Sequence, residues 1–229
     1  MKAMILAAGK GERLFPLTSH TPKPLVQVAG KSVIERSLLR LAGMGIDKIV
    51  VNAWHLADKL IEYVGDGQQW GVEVEWSKED RLLNTGGGVR NAIGKLGESP
   101  ALLVNGDILW SLDLKPLIER FDIKKMDALL GLIPNPSYKK SDFSCSASGG
   151  PLLRAGVGDD DGYTYSGIMV FQPQSLAEYP LQPFSLNRFY DDKIVQERLY
   201  GLPLSGEWAD MGTPERLSKV QKEWHNVVS

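Results

Sequence analysis

The chain has 229 residues, 43% hydrophobic and 24% charged, enough to bury a core without disulfides or a structural metal. Its formal charge of -2 gives no electrostatic reason to expect nucleic-acid binding. Cys145 is the single cysteine, which excludes an internal disulfide and a cysteine-based metal cluster. Met4–Ala8 reads as a buried strand, closed at once by Gly9-Lys10-Gly11. That apolar run is too short for a signal-peptide core or a membrane span, so we expect a cytoplasmic chain with no membrane partner.

Val33 to Met44 has helical spacing at Val33, Ile34, Leu38 and Leu41, and Gly43 and Gly45 stop it. Lys48–Asn52 is a second apolar strand, His55 to Val64 a second helix, and Val72 to Trp76 alternates as a strand does. Thr85 is placed to cap a helix through Val89, Ala92, Ile93 and Leu96. Ala101–Val104 is a further apolar strand, running into Asn105-Gly106-Asp107. Such strands alternating with amphipathic helices predict an α/β, Rossmann-like fold: a mostly parallel central sheet with helices on both faces. From about Met126 the pattern changes. Ala128–Ile133 and Gly167–Phe171 read as strands, but between them lie polar, Gly- and Ser-rich stretches and the solvated run Asp159–Asp161. We read about 126–206 as a lid or substrate-binding subdomain on the same sheet, following a core of about 1–125 in a single domain. Leu217 to Val228 reads as a closing helix.

Ligands of such sheets bind at the carboxyl ends of the strands, which gathers Gly9–Arg13, Asn52 and Asn105–Asp107 along one edge. In Gly9-Lys10-Gly11-Glu12-Arg13, bare backbone amides plus Lys10 and Arg13 suit a phosphate, although a lone Gly-x-Gly is more often a tight turn. Leu14 stands where a dinucleotide fingerprint needs glycine, which argues against a nicotinamide oxidoreductase. Lys23, between Pro22 and Pro24, sits in a stiff extended segment that can aim an ammonium at a phosphate or leave it solvated. Asp107 at a strand end suits Mg²⁺, with Asp210 of Asp210-Met211-Gly212-Thr213 as a second carboxylate; a turn is the alternative at each. Gly86-Gly87-Gly88 opens a helix with bare backbone that a base or sugar can touch, and Gly167 in Ser166-Gly167 could admit a sugar ring. His20 and His55 show no triad or metal pattern.

Taken in order, Ala7-Ala8-Gly9-Lys10-Gly11-Glu12-Arg13-Leu14, Pro22-Lys23-Pro24-Leu25, Gly106-Asp107 and Asp210-Met211-Gly212-Thr213 resemble the motifs of the sugar-1-phosphate nucleotidyltransferases. The resemblance spans essentially the whole chain. It implies a GT-A-like fold with a sugar-binding lid, Mg²⁺ as cofactor, and a nucleoside triphosphate and a sugar 1-phosphate as substrates. Val51-Asn52, Thr85–Gly88, Asn135-Pro136 and Asp142-Phe143 most resemble members that transfer uridylyl from UTP to an amino-sugar 1-phosphate. GTP, CTP or dTTP with a hexose or heptose 1-phosphate is the alternative pair, and a non-catalytic nucleotide-sugar-binding regulator the alternative class.

By this resemblance Ala8, Gly9, Gly11 and Arg13 hold the triphosphate, and Lys23 acts at the α-phosphate. Asp107 and Asp210 ligate Mg²⁺, and Asn52, Gly86 and Gly87 line base and ribose. Asn84, Asp142, Ser166 and Gly167 face the sugar. A Glu-Lys-Pro motif found in many relatives is missing, leaving Lys139 or Lys140 to replace its lysine. The expected assembly is a monomer or small homo-oligomer.

Overall fold

A computed structural model describes residues 1–156 and 162–224. The run Asp159–Asp161 and positions 225–228 of the expected closing helix lie outside the described residues. Strands of the first half are β1 (Lys2–Leu6), the ribbon β2 and β3 (Gln27–Val28, Lys31–Ser32), β4 (Lys48–Ala53), β5 (Glu73–Lys78), β6 (Ala101–Asn105) and β7 (Ile108–Trp110). The second half adds β8 (Ala128–Pro134), the short β9, β10 and β11 (Phe143–Ser144, Gly150–Pro151, Leu153–Arg154), β12 (Tyr163–Phe171), β13 (Leu199–Pro203) and β14 (Trp208–Asp210). Helices are α1 (Val33–Gly43), α2 (Ala57–Val64), α3 (Asn84–Leu96), α4 (Lys115–Arg120), α5 (Leu186–Val195) and α6 (Pro214–Glu223).

The central sheet has the order β10-β13-β8-β12-β6-β1-β4-β5. β6, β1, β4 and β5 pair in parallel, as does β13 with β8. Continuous apolar runs such as Ala101–Val104 form these strands because helices cover both faces and leave no wet side. Alternation along β1 divides the core. Ile5 packs with Ile34 and Leu38 of α1, Leu60 of α2 and Leu117 of α4, whereas Met4 packs with Val89 and Ala92 of α3 and Phe189 of α5.

Between β6 and β8 runs β12, antiparallel to both. Its pairing with β8 is broken between Tyr165 and Met169, where Gly167 adopts φ +84°. The sequence predicts this strand only from Gly167, because the Ser166-Gly167 bulge interrupts its alternation. β8, β12 and β13, all from the second half, are thus strands of the one sheet.

Helix starts follow local chemistry at α1, where Ser32 Oγ accepts the Glu35 N–H at 3.2 Å, and at α6, where Thr213 Oγ1 accepts the Arg216 N–H at 3.4 Å. They do not at α3. Thr85 lies inside that helix and its Oγ1 accepts the Leu186 N–H at 2.9 Å, so it is not the cap that the sequence predicts. The Gly86 and Gly87 N–H groups instead donate to the Phe184 carbonyl at 2.9 and 3.2 Å. Packing of the segment before α5 across the helix start overrides the capping pattern. No helix among the described residues is long and apolar enough to cross a membrane.

Two glycines of α3 should respond oppositely to alanine. A Cβ at Gly86 would stand 2.3 Å from Cε2 of Phe184, a ring 7% exposed and stacked on Tyr179 at 5.3 Å. At exposed Gly94 a Cβ meets nothing within 4 Å. Gly86→Ala should lose about 1–3 kcal/mol, and Gly94→Ala should gain about 0.5–1 kcal/mol. Urea unfolding measures both, and equal signs would contradict the packing described.

Candidate active site

The loop after β1 is held by a hydrogen-bond chain through the sheet's carboxyl edge. The Ala7 N–H donates to Asn52 Oδ1 at 2.7 Å, Asn52 Nδ2 donates to Glu79 Oε1 at 2.7 Å, and Glu79 Oε2 accepts the Leu83 N–H at 2.9 Å. Asn52 is 2% and Glu79 7% exposed. Burial pushes the Glu79 carboxyl above its ordinary value, while the Leu83 N–H and the Asn52 amide pull part of the way back. Downstream, Gly11 takes φ +66°, and a Cβ there would sit 2.9 Å from Thr18 Cγ2. Thr18 Oγ1 donates to the Gly11 carbonyl at 2.8 Å, fixing the left-handed turn that only glycine adopts freely. The Cβ position of Gly9 meets nothing within 4 Å.

Lys23 begins a 3-10 turn after the extended Pro22 and is 8% exposed. Its Nζ lies 2.5 Å from Asp107 Oδ2. Asp107 stands between β6 and β7, and β7 pairs antiparallel with β14 so that Ile108 faces Asp210. Asp107, directly before β7, and Asp210, at the end of β14, are therefore brought side by side, the Met211 N–H donating to the Asp107 carbonyl at 3.3 Å, although 103 positions separate them in the chain (210 − 107). Asp210 accepts the Gly212 N–H at 2.7 Å, Arg216 Nη1 at 2.5 and 2.7 Å, and the Tyr138 hydroxyl at 3.2 Å. Burial raises the Asp210 carboxyl, but the Gly212 N–H and the Arg216 guanidinium outweigh it and leave the group below its ordinary value. Burial and the neighbouring Asp210 push the Tyr138 hydroxyl up to about 12. A Cβ on Gly212 would meet Asp210 Oδ1 at 2.9 Å, Arg216 Nη1 at 3.0 Å and Arg13 Nη2 at 3.2 Å, so Arg13 joins the same cluster.

Three cavities meet around these charges. The largest, about 490 Å³, is walled by Leu6–Gly9, Lys23, Asn52, Asn84 and Asp107. A second of about 390 Å³ has Arg13, Asp107, Tyr138, Lys139, Gly167, Asp210 and Arg216 in its walls. A third of about 380 Å³ runs past Gly9–Arg13 and Lys23. Asp107 borders all three. Mg²⁺ suits the pair Asp107 and Asp210, because it binds one or two carboxylates and completes its shell with phosphates and water. Lys23 occupies only Oδ2 of Asp107, whose other oxygen is open to the ion, whereas both oxygens of Asp210 accept from Arg216, so Asp210 fits the ion only where Arg216 gives way. Among the described residues no group of three or more His, Cys, Asp or Glu could hold a metal alone.

A family model described as nucleotidyl transferase matches residues 2–148. N-acetylmuramate alpha-1-phosphate uridylyltransferase of Neisseria meningitidis is 36% identical, over 96% of this chain and 97% of that protein. The protein of that name from Caulobacter vibrioides is 31% identical, over 93% and 92%. A UDP-glucose pyrophosphorylase structure from Acinetobacter baumannii superposes with a TM-score of 0.80 at 16% identity, covering 99% of this chain and 94% of that one. The chain belongs to the nucleotidyl transferase family. Its activity class is sugar-1-phosphate nucleotidyl transfer.

In this transferase the sequence-predicted residues separate into two sets. Ala8, Gly9, Gly11, Arg13, Lys23, Asn84, Asp107, Gly167 and Asp210 all border the joined cavities. Gly86 and Gly87 do not. Their amides are taken by Phe184, and their α-carbons face the Phe184 ring and the Gln182 carbonyl, which leaves no bare surface for a base. Asp142 is not in the walls of these cavities; its Oδ2 accepts from Lys139 Nζ at 2.6 Å and from the Tyr165 N–H at 2.9 Å, which ties it to Lys139, a wall residue of the second cavity. Ser166 borders the second cavity, but its hydroxyl is spent inside the bulge, Oγ donating to the Gly131 carbonyl at 2.7 Å and accepting the Ile168 N–H at 3.2 Å. Asn52 borders the main cavity, but its amide is engaged at both ends in holding the loop.

Sequence reasoning missed Arg216, Tyr138 and Glu79. Arg216 alone left a signal: it follows a Thr213-Pro214 helix start, and the first turn of a capped helix lies close to the chain leading into it.

If Asn52 is a positioning residue, Asn52→Leu strands the Ala7 N–H and Glu79 Oε1, and should cost about 2–4 kcal/mol of stability. Urea unfolding at neutral pH reads this. A loss of less than about 0.5 kcal/mol, within the range of a surface substitution, would show that the chain does not hold the loop.

Proposed function

We propose that the transferase converts UTP and N-acetylmuramate 1-phosphate to UDP-N-acetylmuramate and pyrophosphate. The observation that carries the reading is the meeting of two cation-lined cavities at one carboxylate, Asp107, where two phosphorylated substrates can be brought together. Support for the particular substrate pair comes from the two relatives of that name, which align over nearly their full length.

The sugar-phosphate oxygen attacks the α-phosphorus; a P–O bond forms there as the bond to the leaving pyrophosphate breaks. No covalent bond to the protein is needed, so positioning and charge neutralisation carry the catalysis. Backbone amides of Ala8, Gly9 and Gly11 and the Arg13 guanidinium hold the triphosphate, and Lys23 neutralises charge at the α-phosphate. Mg²⁺, held by Asp107 and Asp210, supplies further charge neutralisation when bound. On the acceptor side, Lys139 is steadied by Asp142 and borders the second cavity with Arg13 and Arg216. We assign to Lys139 the place of the lysine in the missing Glu-Lys-Pro motif, and to the region of about 126–206 the sugar side of the site. A cytoplasmic location goes with these soluble substrates.

A pyrophosphate-release assay with Mg²⁺, pairing UTP, GTP, CTP and dTTP with a panel of sugar 1-phosphates, should give its highest kcat/KM for UTP with N-acetylmuramate 1-phosphate. A higher value for another pair would replace the substrate assignment, and no release with any pair would remove the catalytic reading. Asp107→Asn and Asp210→Asn keep an acceptor for Lys23 and Arg216, and each should lose on the order of a hundredfold in kcat. Full turnover in either removes that carboxylate from the site.

A further inference from the structure

An ionised carboxylate offers about four lone-pair sites, and at Asp210 four contacts take them. Oδ1 accepts the Gly212 N–H at 2.7 Å and Arg216 Nη1 at 2.5 Å. Oδ2 accepts the same Nη1 at 2.7 Å and the Tyr138 hydroxyl at 3.2 Å. A divalent ion bound directly to Asp210 therefore displaces a donor. The Gly212 amide belongs to the short backbone link between β14 and the Thr213-capped start of α6, so it stays. Release of Tyr138 alone is not enough. The guanidinium would remain within 2.7 Å of both oxygens, and it repels a divalent ion with twice the force between two unit charges. Arg216 is the group that leaves.

Its surroundings set its destination. Arg216 is rooted in the first turn of α6, with its guanidinium 4.6 Å from the ring centroid of the exposed Tyr138. Tyr138 directly precedes Lys139, and both line the second cavity with Arg13 and Arg216. A Cβ on Gly212 would lie 3.0 Å from Arg216 Nη1 and 3.2 Å from Arg13 Nη2, so the two guanidiniums surround one point. The carboxylates in the walls of this cavity are Asp107 and Asp210. With both on a metal, the cavity of about 390 Å³ is left with Arg13, Lys139 and Arg216, a set that suits a phosphate held by a guanidinium fork.

We propose that Arg216 and the divalent metal exchange at Asp210, and that the released guanidinium moves to the phosphate of the acceptor sugar beside Arg13 and Lys139. The identity of that phosphate rests on the transfer reading; the exchange at Asp210 does not. Metal on Asp210 frees Arg216 for the acceptor, and acceptor on Arg216 frees Asp210 for the metal, so each tightens the other.

The test uses Mn²⁺ as the probe, the free ion being counted by its electron paramagnetic resonance signal in the full chain without nucleotide, so that nothing turns over. Arg216→Gln, which removes the competing charge, should bind Mn²⁺ about tenfold more tightly than the parent. Tyr138→Phe, which removes the other side-chain donor and keeps the ring, should stay within about twofold of the parent. With Asp210→Asn already present, Arg216→Gln should change the affinity by less than about twofold. A tenfold gain in that background marks a general field effect and overturns the exchange. A tenfold gain in Tyr138→Phe, or parental or weaker binding in Arg216→Gln, overturns it as well. The parent supplies a reading that needs no variant: N-acetylmuramate 1-phosphate should tighten its Mn²⁺ binding about fivefold or more. The same addition should have no effect in Arg216→Gln. Equal tightening in both proteins, or in neither, overturns the move to the acceptor phosphate. Pyrophosphate release by the parent is read separately. Its absence with every substrate pair removes the transfer reading, while the Mn²⁺ titrations still decide the exchange at Asp210.

Discussion

The contact between Lys23 and Asp107 is the constraint on which the site depends. An ammonium 8% exposed needs a partner for its charge, and Asp107 Oδ2 at 2.5 Å provides it. The pair joins the loop after β1 to the end of β6 and stands where three cavities meet. Asp210 solves the same problem with Arg216. Each acidic group is thus held in place by a cation of the chain itself, which offsets the cost of burying its charge.

Glycine serves two different ends around the site. Gly9 leaves open space where a phosphate can reach the backbone. At Gly88 a Cβ would stand 2.7 Å from Asn52 Nδ2 and 2.8 Å from Glu79 Oε1, so this residue lets α3 lie against the hydrogen-bond chain that holds the loop. Gly167 combines φ +84° with a Cβ position 2.9 Å from Asn105 Nδ2, and so brings the bulge of β12 against the end of β6. The bulge in turn costs the sheet a stretch of ladder and places Ser166 so that its carbonyl accepts the Trp208 indole N–H at 2.6 Å.

The sheet explains how one chain offers two sides to one reaction. Parallel β1, β4 and β6 deliver their carboxyl ends to the same edge. Antiparallel β12 brings Tyr165–Gly167 to that edge from the opposite direction, beside Asn105. Asp107 and Asp210 come from distant parts of the sequence, and the β7–β14 ribbon is what brings them together.

Local sequence determined the apolar strands, the helices α1 and α3, the order of the phosphate-loop, lysine and carboxylate motifs, and with them the family. These are legible because strand and helix periods, glycine turns and strand-end acids are short-range properties. Three-residue β7 and β14 are too short to show a period, so the adjacency of Asp107 and Asp210 came only from the tertiary structure. Tertiary packing also decided which polar groups remain available. Gly86, Gly87, Asp142 and Ser166 carry suitable chemistry, yet partners 2 to 98 positions away in the chain (168 − 166 and 184 − 86) take up their amides, a carboxylate oxygen or a hydroxyl. Hydrogen bonds across such separations leave no periodic mark in the sequence, and burial makes them obligatory.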